Sequence, residues 1–225
     1  MNAHRKKLLI TIDGPAGAGK TTVSRMLADR LGYRYIDTGA LYRGVALAVQ
    51  TQGVDPQSDA ELASLCSRLK LNFSLDNKGL RLVLNGEDVT DRIRTPEITM
   101  LASTVSAKPV VRQYLLELQR KLGREKAAVF EGRDMGTVVF PDADVKFFLD
   151  ASAKTRALRR FEEFKAQSGQ SLEEVARDIQ QRDNNDSTRR TAPLKPAPDA
   201  VIIDATDLSA KQVVEVMLSN ICYLN

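Results

Sequence analysis

This 225-residue sequence predicts an α/β doubly wound architecture: a parallel sheet of about five strands, with a small antiparallel sheet inserted. Three observations carry that prediction. Short apolar runs that read as strands alternate with helical patterns, as a parallel sheet with crossover helices requires. The first apolar run, 8–12, opens into a glycine-rich turn and then a helix. Residues 70–90 switch to a two-residue period and carry Asn85-Gly86, a strong hairpin signal, inside an otherwise helical region.

Residues 8–13 read as a buried first strand and 20–31 as a helix, with Val23, Met26, Leu27 and Leu31 on its stripe and Gly32 as its stop. Tyr33-Arg34-Tyr35-Ile36 is a short second strand. A helix then runs to Gly53, and either Asp37 or Thr38 can cap it. Residues 58–69 are helical, with Leu62, Leu65 and Leu69 on one side. The hairpin strands are 71–75 and 80–84, joined by the turn Asp76-Asn77-Lys78-Gly79. Pro96 begins a helix that Pro109 breaks, and 110–122 forms the next, ended by Gly123. Residues 127–131 and 145–149 read as buried strands. An arginine-rich helix over 152–167 breaks at Gly169, and a second covers 171–183. Pro193, Pro196 and Pro198 mark an extended crossing before a final strand at 201–204 and a closing helix at 208–222.

Composition narrows the function classes. A chain that is 43% hydrophobic and 28% charged has the apolar material for a core, and no run approaches membrane-spanning length. Residues 1–7 are basic, but three apolar residues before Thr11 are too few for a signal-peptide core, so a cytoplasmic chain is expected. Cys66 and Cys222 lie far apart without ligand spacing and the single histidine is His4, so reduced thiols and no zinc site are expected. The net charge of +4 suits an anionic partner, nucleotide or nucleic acid. No block of like charge marks a nucleic-acid arm, and 5% aromatic content is thin for base stacking.

The stretch Gly14-Pro15-Ala16-Gly17-Ala18-Gly19-Lys20-Thr21-Thr22 fits G-x-x-x-x-G-K-[ST], between a strand and a helix as that motif requires. Glycines let the backbone curl so that successive amides face a polyphosphate. The helix aims its unpaired amides and positive end at the same anion. Lys20 adds charge for the outer phosphates, and Thr21 offers a hydroxyl oxygen to magnesium. A GTPase would carry N-K-x-D, which Asn77-Lys78-Gly79-Leu80 does not match.

Arginines gather where strands and helices end. Arg43, Arg112 and Arg133 stand at such sites, Arg156, Arg159 and Arg160 share a helix at spacings of three and four, and Arg182, Arg189 and Arg190 follow. One arginine alone reads as a solvated surface charge. The set, beside a phosphate loop, reads as charge cancellation for transfer between two phosphorylated molecules, which the planar guanidinium fork suits.

Four runs, in order, resemble the bacterial cytidylate kinase family. They are the 14–20 loop, Asp37-Thr38-Gly39-Ala40-Leu41-Tyr42-Arg43, Glu131-Gly132-Arg133-Asp134-Met135-Gly136-Thr137-Val138-Val139-Phe140-Pro141, and Arg182-Asp183-Asn184-Asn185-Asp186-Ser187-Thr188-Arg189. The 70–90 hairpin belongs to the same pattern. The resemblance implies the fold of a phosphate-loop nucleoside monophosphate kinase, with a core at 1–37, 109–150 and 171–225. It implies a CMP-binding domain at 38–108 and a lid at 151–170. It implies transfer of the γ-phosphoryl group of ATP to CMP or dCMP, with Mg2+, by a monomer that engages small nucleotides, no nucleic acid and no membrane.

By the same resemblance, the 14–22 loop holds ATP with Lys20 on the phosphates. Arg43, Arg133 and Arg189 grip the CMP phosphate, with Thr38 where many members have serine. Ser103, Arg112 and Asp134 read cytosine, and Arg182 and Asp186 hold the sugar hydroxyls. Arg156 and Arg160 are the lid candidates for the transfer step. Glu131 stands where many members have aspartate. Two other readings stay open: a kinase for UMP or another small phosphate acceptor, and a phosphate-loop regulatory protein that binds nucleic acid.

Overall fold

The structure, a computed structural model, describes residues 7–76, 79–164 and 169–222. His4, the turn residues Asn77 and Lys78, and the last residues of the helix expected over 152–167 lie outside them. In chain order the elements are β1 (Leu9–Asp13), α1 (Lys20–Leu31), β2 (Arg34–Asp37), α2 (Thr38–Gln52), α3 (Asp59–Arg68), β3 (Leu71–Asp76), β4 (Gly79–Leu84) and β5 (Glu87–Asp88). There follow α4 (Pro96–Ser106), α5 (Pro109–Gly123), β6 (Ala128–Glu131), β7 (Val145–Asp150), α6 (Ala153–Phe164), α7 (Leu172–Thr188), β8 (Val201–Asp204) and α8 (Ala210–Cys222). The chain divides into two compact units, Met1–Ile36 with Glu125–Asn225, and Asp37–Arg124.

The first unit is built on a five-stranded sheet in the order β2-β6-β1-β7-β8. All five residues of β1 are buried, as befits a centre strand covered on both faces. It runs parallel to β6 and β7, with Ile12 in register with both Glu131 and Phe147. The carboxyl ends of β1 and β6 therefore lie side by side, where ligands gather in open α/β sheets. Ile10, Ile12, Leu27, Val129, Phe147, Val213 and Met217 form the core under α1 and α8. A π-helical turn at Met135–Val139 lies close on the sheet, since a Cβ on Gly136 would stand 3.1 Å from Thr11 Oγ1.

The second unit packs α2 to α5 with a three-stranded antiparallel sheet, β3-β4-β5. Asn85 and Gly86 take positive φ of 51° and 93°, as a primed hairpin turn requires. The sheet reaches α2 at Gly44, where an added Cβ would meet methyls of Leu71 and Leu82 at 2.9 Å. Three local differences from the sequence reading stand out. The hairpin gains a third strand, β5. Helix α7 runs to Thr188 rather than 183. Helix α5, grouped on sequence with the phosphate-loop core, buries Val111 and Leu115 in the core of the second unit.

Candidate active site

The glycine-rich turn starts where β1 ends. Gly14, Gly17 and Gly19 have φ of 148°, 75° and 92°. At Gly14 the need is steric as well, because a Cβ would sit 2.0 Å from the Leu149 carbonyl oxygen. Helix α1 begins at Lys20 with Gly19 as N-cap, no side-chain cap and no acidic residue in its first turn. Its positive end is thus left for an external anion.

Lys20 is buried, and its Nζ donates to the Pro15 carbonyl at 2.6 Å. Burial, then the nearby charge of Arg133, lowers its pKa from 10.5 to about 7, with Glu131 pulling the other way. Thr21 donates its hydroxyl to Glu131 Oε1 at 2.9 Å, and Tyr35 donates to Glu131 Oε2 at 2.5 Å. Arg25 lies over the Tyr35 ring, 5.0 Å from its centroid. A threonine hydroxyl beside a carboxylate at the mouth of a phosphate loop is a hard-oxygen donor set, which fits magnesium. Among the described residues, no group of three or more His, Cys, Asp or Glu side chains could hold a metal by itself.

Beyond Glu131, a buried charge cluster follows. Arg133 Nε donates to Asp186 Oδ2 at 2.9 Å, and Arg189 reaches Asp186 Oδ1 at 3.5 Å and Asp134 Oδ1 at 3.3 Å. Burial alone would raise the Asp186 pKa, but Arg133, Arg189 and Arg182 more than offset it, so the carboxylate stays ionised. Arg133 and Arg182 also act on Lys20. The structure therefore brings Lys20, Arg133, Asp134, Arg182, Asp186 and Arg189 into one field at the ends of β1, β6 and α7.

The arginines of α6 divide. Arg156 is buried and donates to the carbonyls of Ala151 (2.9 Å) and Ala16 (3.0 Å) and to the Asp183 carboxylate. Arg159 donates to the carbonyls of Ala18 (3.3 Å) and Ala205 (2.7 Å). Arg160 instead pairs with the exposed Glu163 one turn on, at 3.0 Å. Two of the three thus grip the back of the phosphate loop, against an apolar seam of Ala16, Ala157, Val175 and Ile179.

Within the second unit, Asp37 caps α2, accepting from Ala40 N at 3.0 Å and from Arg43 Nη2 at 2.7 Å. Gly39 makes room for that guanidinium, since a Cβ would stand 3.0 Å from Arg43 Nη1. Thr38 is buried. Arg112 is buried too, donates to the Ser106 carbonyl at 3.2 Å and lies 5.7 Å from the Tyr42 ring centroid. Arg43 Nε and Ser103 Oγ are buried atoms with no hydrogen-bond partner, a condition a polar ligand would relieve.

Sequence reading missed two acids. Asp13 accepts from the amides of Met135 (2.9 Å) and Gly136 (2.8 Å), tying the end of β1 to the turn that follows Asp134. Burial raises its pKa from 3.8 to about 6. Asp183 accepts from Ala16 N at 3.3 Å while holding Arg156. The available signals were position alone: Asp13 abuts the loop, and Asp183 sits one helical turn before Asp186.

The model of the family described as cytidylate kinase matches residues 10–222. A cytidylate kinase from Geobacter sulfurreducens is 53% identical over 218 residues, 96% of this chain and 94% of that protein. One from Citrifermentans bemidjiense is 51% identical over 223 residues, 98% of this chain and 96% of that protein. Among solved structures, a shikimate kinase from Bacteroides thetaiotaomicron aligns with a TM-score of 0.51 at 13% identity, over 96% of this chain and 99% of that one, a likeness of fold alone.

Proposed function

The chain belongs to the cytidylate kinase family, and on that premise we propose that it transfers the γ-phosphoryl group of ATP to CMP or dCMP, giving CDP or dCDP and ADP. The observation that carries the proposal is the buried cationic cluster around Lys20. Three arginines, Arg133, Arg182 and Arg189, converge on Asp186, and two of them also act on the lysine of the phosphate loop. Transfer between two phosphates must cancel their mutual repulsion before the acceptor oxygen can approach. That oxygen is already anionic, so no strong general base is needed.

In this reading the 14–22 loop and Lys20 hold ATP. Arg43, Arg133 and Arg189 take the CMP phosphate with the Thr38 hydroxyl. Ser103, Arg112 and Asp134 read the cytosine, and Arg182 with Asp186 holds the sugar. Magnesium, when bound, would neutralise charge on the phosphate oxygens, with Thr21 as its protein ligand. Arg156 acts by shaping the loop, because Ala16 and Asp183 already hold its guanidinium. Arg160, whose partner Glu163 is a surface acid, is the lid arginine for the transferring group. Segments 38–108 and 151–170 close to exclude water, since an open site would hydrolyse ATP. We place the chain in the cytoplasm as a monomer; Cys66, a free buried thiol, is in keeping with a reducing compartment.

The test is purified full chain with MgATP and a panel of nucleoside monophosphates, following ADP release. CMP and dCMP should be the best acceptors. Equal or faster turnover of UMP would move the reading to another acceptor. No acceptor-dependent release at all would leave ATP as a switch and overturn it.

A further inference from the structure

We propose that Tyr35 is a positioning residue that sets the hydroxyl of Thr21, acting through Glu131. The inference rests on the kinase reading above and adds a residue that reading does not use. Glu131 is divided between two hydroxyl donors: Thr21 takes Oε1 at 2.9 Å and Tyr35 takes Oε2 at 2.5 Å. The second contact is the shorter, as expected of an O–H bonded to an ionised carboxylate. Arg25, standing 5.0 Å from the ring centroid, steadies the Tyr35 ring from outside.

The chemistry follows from the length of the glutamate. Its side chain has one more rotatable bond than aspartate, so a single contact leaves the carboxylate free to swing. Anchoring each oxygen to a different element removes that freedom: Thr21 opens α1, and Tyr35 lies on β2. With Glu131 held, the Thr21 proton points at Oε1, which leaves the lone pairs of the hydroxyl oxygen for a hard cation. Without Tyr35, Glu131 loses a charge-assisted partner and the Thr21 hydroxyl is free to turn. The defect should therefore appear in how strongly magnesium improves nucleotide binding, and not in the grip of the loop on phosphate.

The experiment compares wild type, Tyr35→Phe, Glu131→Asp and the double variant. Calorimetry measures the Kd for ATP with saturating magnesium chloride and again with EDTA, and circular dichroism gives Tm. Tyr35→Phe should lose roughly 3–10-fold of the magnesium-dependent gain in affinity, about one charge-assisted hydrogen bond's worth, while the EDTA value stays within about two-fold of wild type. Glu131→Asp, too short to span both hydroxyls, should lose a similar factor, and adding Tyr35→Phe to it should change nothing further. Equal weakening with and without magnesium in Tyr35→Phe would make Tyr35 a structural residue and overturn the proposal. So would full additivity in the double variant, or an unchanged magnesium gain. Should Tyr35→Phe fail to fold, Glu131→Asp alone decides, since an unchanged magnesium gain there overturns the proposal as well. A wild type whose ATP affinity ignores magnesium would instead count against the magnesium-dependent kinase reading.

Discussion

Replacing Asp13 with asparagine should alter the pH dependence of stability in a calculable way. Asp13 is 4% exposed, and both its oxygens accept backbone amides, from Met135 and Gly136. Burial is the largest influence on it and raises its pKa from 3.8 to about 6, against the pull of those two amides. A carboxyl with a raised folded pKa keeps its proton in the folded chain where the unfolded chain has lost it. The folded state therefore gains stability from this group as pH falls from about 6 toward 3.8. Between about pH 7.5 and about pH 5 the gain is about 1.4 kcal/mol. Asparagine does not titrate and forgoes that gain. It also has one acceptor oxygen, so one of the two amides faces an NH2 group, at a cost of about 1–3 kcal/mol. At about pH 7.5 this is offset by removing a buried charge, worth about 3 kcal/mol from the shift. Near-parity at neutral pH and a deficit at about pH 5 are the expected pattern. Urea unfolding of both proteins at both pH values measures it, and other titrating groups cancel in the difference. A difference between the proteins that is the same at both pH values would refute a raised Asp13 pKa.

Lys20→Met should cut turnover by roughly 10²–10³, the loss of one charge stabilising the transferring group. Its Tm should hold or rise, because burial already disfavours the lysine charge; steady-state kinetics and a thermal melt check both. Asp134→Asn should shrink the CMP-over-UMP ratio in kcat/KM by roughly 10–100-fold, since an ionised carboxylate accepts from the cytosine amino group and repels the uracil carbonyl. A variant that is slow but keeps the ratio would confine Asp134 to holding Arg189. Gly44→Val should destabilise by about 1–3 kcal/mol, by forcing the methyls of Leu71 and Leu82 off α2. The melting profile reads that loss.

The strands of the central sheet were legible because β1, β6 and β7 are buried runs, and a run bounded by glycine or charge needs no partner to be seen. The phosphate loop was legible for a similar reason: its requirements are local. What was not legible depends on partners. Helix α7 outran its expected end through Asn184-Asn185-Asp186-Ser187-Thr188, poor helix formers by propensity. Their side chains bond back along the helix, Ser187 Oγ to the Asp183 carbonyl and Thr188 Oγ1 to that of Asn184, both at 2.6 Å. Strand β5 has two residues and no period to read. Periodicity placed Arg156 and Arg160 on one face of α6, but Asp183, 27 positions away from Arg156, decides that the first is buried while the second meets Glu163.

Those long-range partners have a chemical consequence for the site. Every arginine of the cluster meets a carboxylate before any substrate arrives: Arg133 and Arg189 meet Asp186, Arg189 meets Asp134, and Arg156 meets Asp183. Such pairing lowers the affinity for phosphate, because an incoming oxyanion must share each guanidinium with an acid. It also keeps the forks oriented and already desolvated, so little reorganisation remains when charge builds up in transfer. Asp186, wedged between Arg133 and Arg189, holds two forks apart at a set spacing. Removing that acid should tighten phosphate and loosen geometry together. An enzyme that must release a diphosphate after each turnover benefits from the first compromise, and one that must align two anions in line benefits from the second.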